Sequence, residues 1–239
     1  MKKILLFVFV CLISSCFLFI PVVDARAGGG SSGGSSGGSS SSSGTRHSSS
    51  NGKTNPISSV ITTILFMGVA YSSIIIIKVR LTKAKVTTKR KFKRIKWDYE
   101  LIEKRVEESY FIIQNAWAEN NMKKAKRYMT PELLDNFQSK LNWMEVCNKK
   151  NIMKNIKLLD CYPISFVDEE KDCDDRLWVY IKGKMIDYVI DLKTNEVIEG
   201  STMNKWFVEY WLFSKNKKGE WVLNKILQED QLENVPIES

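Results

Sequence analysis

Several groups on which common enzyme chemistry depends are missing from this sequence. His47 is its only histidine, and Cys147, Cys161 and Cys173 follow no metal-ligand or redox spacing. From Trp97 onward there is no nucleophile-elbow glycine pattern and no phosphate-binding loop. We therefore expect no cofactor, no metal and no catalysis, and we expect the cysteines of this part to remain thiols in a reducing compartment.

Acidic residues are also scarce at one end of the chain. Asp24 is the only one of the 27 acidic residues that precedes Trp97, whereas 15 of the 36 lysines and arginines lie there. From Trp97 to Ser239 the sequence has 21 basic and 26 acidic residues. The formal charge of +9 thus arises in the N-terminal part, and we expect no nucleic-acid partner for the C-terminal part.

The N-terminus has the pattern of a secretory signal. Lys2 and Lys3 precede an apolar run, Ile4 to Ile20, and Ala25-Arg26-Ala27 offers small residues for cleavage. Residues 1–27 are therefore predicted to be a signal peptide. Two alternatives stay open: a lipoprotein processing site ending at Cys16, and an uncleaved first membrane helix.

The next two segments differ sharply in composition. Residues 28–56 are almost entirely polar, with nine glycines and twelve serines between 28 and 55, and are predicted to form a disordered extracytoplasmic segment. Residues 57–77 are 21 residues without a charge, and a bilayer core needs about 20 in a helix. We predict one transmembrane helix here; a buried core helix is the alternative.

A basic juxtamembrane segment, residues 78–96, follows without any acid. By the positive-inside rule, it predicts that the chain crosses the cell membrane once and continues on the cytoplasmic side. Anionic lipid headgroups are the partner expected for its side chains. The candidate lipid contacts are Lys78, Arg80, Lys83, Lys85, Lys89, Arg90, Lys91, Lys93, Arg94 and Lys96.

Residues 97–239 have the length of one domain, with helical patterns first and strand patterns second. Apolar residues recur at helical spacing from Asp98 to Ala118, and Thr130-Pro131 is typical of the start of a second helix. From Ile152 onward, β-branched and aromatic residues predict strands, and Lys215 to Gly219 predicts a hairpin turn. We expect an α+β domain, with helices packed on an antiparallel sheet.

Several motifs resemble the Tim44-like domain family over Lys104 to Glu229. Ile113-Gln114-Asn115-Ala116-Trp117 and Met129-Thr130-Pro131-Glu132-Leu133 are similar to its helix motifs. Phe207 to Phe213, followed by Trp221 to Gln228, is similar to its closing strands. The resemblance implies a curved, cone-shaped sheet like that of nuclear transport factor two. It also implies a membrane-associated domain that binds a protein or lipid, as in the mitochondrial import motor's tethering subunit.

Two functions follow from these observations. The first is a membrane-tethered, non-catalytic interaction module that binds a protein partner, not identified by the sequence, or anionic lipid at the cytoplasmic face. The alternative is a small-molecule-binding cone with isomerase- or dehydratase-like acid/base catalysis, for which Asp187 with Tyr188, or Asp191, are candidates. Glu209 is interpreted as an outward-facing residue. The candidate pocket residues are Trp178, Asp187, Trp206 and Trp211.

Overall fold

The computed structural model describes residues 56–95, 97–169 and 175–237. The side chains of residues 56–64, 66 and 70 lie outside this description. The predicted signal peptide and nearly all of the predicted Gly/Ser segment also lie outside it, as does Lys96.

Three α-helices precede the sheet: α1 (Pro56–Ile95), α2 (Tyr99–Ala118) and α3 (Pro131–Val146). The Asp98 carboxylate accepts a hydrogen bond from the Leu101 N–H at 3.0 Å, which caps the start of α2. The Thr130 hydroxyl accepts one from the Leu133 N–H at 3.4 Å, and Pro131 occupies the first turn of α3. Both predicted helix starts are confirmed. Short 3₁₀ segments occupy Met122–Ala125 and Glu229–Asn234.

Helix α1 contributes to two compact units, which divide between Val79 and Arg80. In the first unit, the described apolar side chains between Leu65 and Val79 are exposed. No helix in the described part of the chain is both long and apolar enough to cross a membrane. The predicted span, residues 57–77, falls within α1, where ten of its side chains lie outside the description.

Four antiparallel strands form the sheet in the order β1-β2-β3-β4: β1 (Lys149–Val167), β2 (Arg176–Asp191), β3 (Val197–Lys215) and β4 (Trp221–Gln228). The predicted hairpin is confirmed, because Lys215 pairs with Trp221 across the turn. Gly219 adopts a φ of 76° there, which a residue with a Cβ rarely adopts. The sheet therefore runs as a simple meander.

One face of the sheet packs against α2 and α3, and we call it the helix face. Its core contains Tyr110, Ile113 and Trp117 of α2 and Phe137 and Leu141 of α3. The strands contribute alternate residues, as a pleated sheet requires. These are Leu177, Val179, Ile181, Met185, Phe207, Trp211 and Phe213. The predicted α+β arrangement, helices packed against an antiparallel sheet, is thus confirmed.

The opposite face, which we call the second face, has its own apolar cluster. Three tyrosines of the strands lie in it: Tyr162, Tyr180 and Tyr210. Leu81 and Ala84 of α1 and three residues of the C-terminal segment pack in the same cluster. Those three are Leu232, Val235 and Ile237. The folded unit therefore includes residues from Arg80 onward, earlier than the predicted boundary at Trp97.

Candidate functional site

The structure does not bring the predicted pocket tryptophans together. Trp211 is fully buried on the helix face, whereas Trp178 is buried on the second face. Trp206 is 60% exposed. Residues an even number apart on a strand share a face, so Trp206 and Trp211 project to opposite sides of β3. A single aromatic pocket built from these three side chains does not form.

Asp187 takes part in a polar chain that links α2 to the sheet. Its carboxylate accepts a hydrogen bond from Asn151 Nδ2 at 2.8 Å, and Asn151 Oδ1 accepts one from Trp117 Nε1 at 3.0 Å. Trp117 and Asn151 also line an open cleft of about 400 Å³, whose rim carries Lys149 and Glu119. These bonds hold the end of α2 against β1 and β2, which gives Asp187 a structural role.

The other two acid/base candidates lie near a turn. Asp191 accepts hydrogen bonds from the N–H groups of Lys193 and Thr194 at 2.7 and 3.1 Å, and these bonds lower the pKa of its carboxyl. Tyr188 is partly buried next to the Asp187 position. Asp191 therefore stabilises the β2–β3 turn in its ionised form.

Glu209 is the polar residue that sequence reasoning placed wrongly. It is fully buried, and its Oε2 accepts a hydrogen bond from Trp211 Nε1 at 2.9 Å. Gln228 Nε2 donates to Oε1 at 3.4 Å. The interpretation as an outward residue is wrong, since Glu209 shares the parity, and hence the face, of Phe207 and Trp211. Parity along β3 was the signal available in the sequence.

A second buried polar side chain lies on α2. Gln114 is fully buried, and neither its Oε1 nor its Nε2 has a hydrogen-bond partner among the described residues. Buried polar atoms of this kind are uncommon in native proteins. No described cavity is lined by Gln114 or by Glu209.

The tyrosines of the second face form a packed row. The rings of Tyr162 and Tyr180 stack at 4.7 Å, and those of Tyr180 and Tyr210 lie 6.3 Å apart. Burial raises the pKa of Tyr180 to about 12 and also raises the pKa values of Tyr162 and Tyr210. These phenols therefore remain protonated at neutral pH.

An open groove of about 410 Å³ lies where α2 begins, with Trp97, Leu101 and Trp221 among its lining residues. Lys215 Nζ lies 5.1 and 5.4 Å from the centres of the two indole rings and 2.8 Å from the buried carboxylate of Asp175. These contacts of Lys215 hold Trp97 and Trp221 in place along the groove. Within the described ranges, no three His, Cys, Asp or Glu side chains are arranged to hold a metal ion.

The part of α1 that belongs to the folded unit has two distinct sides. Its buried stripe consists of Leu81, Ala84, Thr88 and Phe92, at helical spacing. Phe92 contacts Phe166 of β1, with ring centres 5.1 Å apart. The exposed basic residues of this part, which we call the basic side, are Arg80, Lys83, Lys89, Arg90, Lys93 and Arg94.

Two of the predicted lipid contacts have partners within the domain. Lys85 Nζ lies 4.2 Å from the centre of the Tyr162 ring and 3.9 Å from the Asp160 carboxylate. Lys89 Nζ lies 4.8 Å from the centre of the Tyr99 ring. Lys85 therefore helps to attach α1 to the domain, and Lys89 does so while also belonging to the exposed basic side. Of the remaining predicted contacts, Lys78 lies in the other compact unit, Lys91 is partly buried, and Lys96 lies outside the described residues.

Comparisons with known proteins found similar solved structures and a matching family model. The intermembrane space region of the chloroplast protein ARC6 is similar, with 11% identity and a TM-score of 0.42, over 55% of this chain and 95% of that chain. An Ntf2-like protein involved in plasmid conjugation is similar with 9% identity and a TM-score of 0.28, over 49% of this chain and 40% of the other. No curated protein matches the sequence. A family model, the Tim44-like domain, matches residues 91–228, from the end of α1 to the end of β4. The chain belongs to the Tim44-like domain family.

Proposed function

We propose that this protein is a membrane-tethered, non-catalytic interaction module. Residues 57–77 cross the bilayer of a bacterial cell, and the Tim44-like domain lies at its cytoplasmic face. The basic side of α1 binds anionic lipid headgroups there. The observation that carries the proposal is a single helix in which exposed apolar residues are followed directly by an exposed basic side.

The apolar part of α1 supports the tether. The described large apolar side chains between Leu65 and Ile77 are 43–67% exposed. Leaving such surface in water is unfavourable by about 25 cal/mol per Å², and contiguous exposed apolar surface is typical of membrane or protein contacts. A hydrocarbon environment would remove that penalty. The absence of charge from Ile57 to Ile77 agrees with this location.

The basic side supports the lipid contact. It belongs to a helix whose apolar stripe is already occupied by the domain, so the charges are held in a fixed array. Each lysine or arginine near an anionic leaflet contributes about 1 kcal/mol of binding free energy. The same charges, next to an uncharged segment, support a cytoplasmic location through the positive-inside rule.

The absence of catalysis is also part of the proposal. Its support is that the candidate acid/base residues have structural contacts: Asp187 links helix to sheet and Asp191 caps a turn. A protein partner, recruited to the membrane by the tethered domain, is the further function we propose for a member of this family. Crosslinking in native membranes, followed by mass spectrometry, is the measurement that would identify it.

Two measurements on the full-length chain test the proposal. In the first, alkaline extraction of membranes is expected to leave the wild type in the pellet and to release a Leu65→Arg/Val69→Arg variant. Each arginine near the centre of a span costs about 2.5–3.5 kcal/mol. A Lys140→Arg/Lys217→Arg variant, altered only at exposed sites of the folded domain, is the control. Release of the wild type would contradict the tether.

The second measurement is acetylation footprinting of the chain in nanodiscs. Lys83 and Lys93 are expected to react about fivefold more slowly in anionic than in neutral discs, the factor that corresponds to about 1 kcal/mol. Lys140 and Lys217, which are exposed elsewhere on the domain, serve as internal controls with unchanged rates. Equal rates at Lys83 in both kinds of disc would contradict the lipid contact.

A further inference from the structure

The second face of the sheet carries a basic and aromatic patch beyond its apolar cluster. Lys157 of β1 is paired with Lys184 of β2, and Lys184 is paired with Trp206 of β3. Lys182 of β2 lies beside this row, with its Nζ 5.5 Å from the centre of the Trp206 ring. We call these four residues the lysine–tryptophan patch.

The patch faces away from α2 and α3. The sequence neighbours of the patch residues pack in the core of the helix face. They are Ile156 and Leu158 beside Lys157, Met185 beside Lys184, and Phe207 beside Trp206. Because successive side chains of a strand project to opposite sides, the patch residues project from the second face. There, Trp206 is 60% exposed, although Trp178 on the same face is 7% exposed.

Folding does not explain this arrangement. Two lysines directly opposite each other on neighbouring strands destabilise a sheet, whereas opposite charges would stabilise it. The one acidic register partner of the patch is Asp160, opposite Lys182, and its carboxylate also lies 3.9 Å from Lys85 Nζ. An anionic ligand would relieve the repulsion and cover the indole.

The patch shares the second face of the sheet with part of α1. Phe92 of α1 contacts Phe166 near one end of β1, and Lys85 contacts Tyr162 and Asp160 further along the strand. The start of this part of α1 packs on the tyrosine row, since Leu81 and Ala84 belong to the cluster of the second face. Asp160, which Lys85 contacts, pairs with Lys182 of the patch, so the patch adjoins α1 on this face.

We infer that the lysine–tryptophan patch is a second contact with the anionic membrane surface, an inference that rests on the proposed function. Lysine ammonium groups bind lipid phosphates, and an indole ring is favoured at the boundary between headgroups and hydrocarbon. The first contact, the basic side of α1, is purely electrostatic. The patch adds an apolar anchor and fixes which end of the sheet faces the bilayer.

An added peptide strand is the less favoured occupant, because the neighbouring edge of β3 is irregular. Ser201 and Lys205 of β3 are four residues apart, whereas their partners on β2, Asp187 and Met185, are two residues apart. The extra residues of β3 form a bulge at this position. The Met203 N–H is bonded to the Ser201 hydroxyl at 3.2 Å. Bulges of this kind protect an edge from strand addition. A lipid surface needs no regular edge.

Tryptophan quenching by spin-labelled lipid tests the inference on the full-length chain in nanodiscs. In anionic discs, Trp206→Phe is expected to remove a component of the tryptophan fluorescence that the spin-labelled lipid quenches. Trp143→Phe is the control and should leave that component in place, because Trp143 is 68% exposed on α3, away from the patch. Lys157→Gln and Lys184→Gln are each expected to weaken the contact about fivefold, and 0.5 M salt to abolish most of it. All four positions are partly or fully exposed, so the fold should be retained, and circular dichroism checks this.

Three outcomes would overturn the inference. The first is unquenched Trp206 emission in discs that retain the protein, and the second is equal quenching of Trp206 in neutral discs. The third is protection of Lys157 and Lys184 from acetylation by poly-glutamate but not by anionic lipid, which would make the patch a protein-docking surface. Failure of the proposed function is distinguishable, because the chain would then be released from membranes by alkaline extraction.

Discussion

The two faces of the sheet are built from the same strands but differ in what covers them. On the helix face, α2 and α3 pack against a continuous apolar core, and Glu209 is fully buried on the same face. On the second face, α1 and the C-terminal segment cover the tyrosine row, while Lys184 and Trp206 remain accessible to solvent. The helix face provides stability, and the second face has surface left for interactions.

This difference shows that a tryptophan on a strand can be either a core residue or a surface residue. Trp206 and Trp211 belong to one strand and are five residues apart. Trp206 is exposed, whereas Trp211 is buried, with its ring centre 5.7 Å from that of Tyr110. Their opposite parity sends them to opposite faces. The coverage of each face then decides whether the indole contributes to the core or to a surface.

The largest expected difference between the faces is at these two tryptophans. Trp211→Ala should lower the free energy of unfolding by about 3–5 kcal/mol, because it leaves a large cavity in the helix-face core. Trp206→Ala should change it by no more than about 0.5 kcal/mol. Urea unfolding of the detergent-solubilised chain, followed by near-UV circular dichroism, measures both. Equal losses would remove the distinction between the faces.

A smaller loss of stability is expected at Gly183, where Phe207 and Tyr110 of the helix face approach the backbone of β2 closely. A Cβ on Gly183 would overlap the Phe207 ring and lie 2.6 Å from the Tyr110 hydroxyl. Gly183→Ala should therefore destabilise the domain by about 1–3 kcal/mol. Lys184→Ala, next to it but on the second face, is the matched control, with an expected change below about 0.5 kcal/mol. The same unfolding measurement distinguishes the two variants, and a neutral Gly183→Ala would show that the face tolerates repacking.

The buried carboxylate of the helix face gives a third comparison. Glu209→Ala leaves the buried Trp211 indole N–H without its acceptor, which costs about 1–3 kcal/mol. Glu209→Gln keeps an acceptor of the same size and should lose less. The difference in thermal midpoint between the two variants measures the value of the acceptor. If both variants lose the same stability, the hydrogen bond from Trp211 to residue 209 does not contribute to the stability of the domain.

The smallest effect at neutral pH concerns the tyrosine row. Its phenols are protonated in the folded domain, and the pKa of Tyr180 is raised from 10.0 to about 12. As the pH rises above about 9, the unfolded chain loses these protons first, so stability falls between about pH 9 and 12 and is unaffected below that range. Tyr180→Phe should shift alkaline unfolding, followed by tyrosinate absorbance, to higher pH. An unchanged midpoint would contradict the role of the row.

Local signals predicted much of this fold. Asp98 and Thr130-Pro131 are helix starts because their side chains and ring suit the first turn, and Gly219 suits its turn. Strand parity was equally available, and it places Glu209 on the same face as Phe207 and Trp211. The hydrogen bond from Gln228 of β4 to Glu209 is a cross-strand contact that no local pattern contains.

The double role of α1 was harder to predict. Its basic residues dominate the pattern, although Leu81, Ala84, Thr88 and Phe92 recur at helical spacing among them. What they pack against is a sheet that begins more than 50 residues later. The dispersal of Trp178, Trp206 and Trp211 likewise depends on which face each covering segment occupies, which is a property of the tertiary structure.

Protease protection of the full-length chain in sealed membrane vesicles tests whether the folded domain lies at the cytoplasmic face of the membrane. In vesicles that keep the outside of the cell outward, the account predicts that protease leaves the folded domain, from Arg80 to the C-terminus, intact until detergent is added. Inverted vesicles should lose the domain without detergent. Digestion of the domain from the outside, or recovery of the intact chain in the soluble fraction, would contradict a cytoplasmic domain tethered by α1.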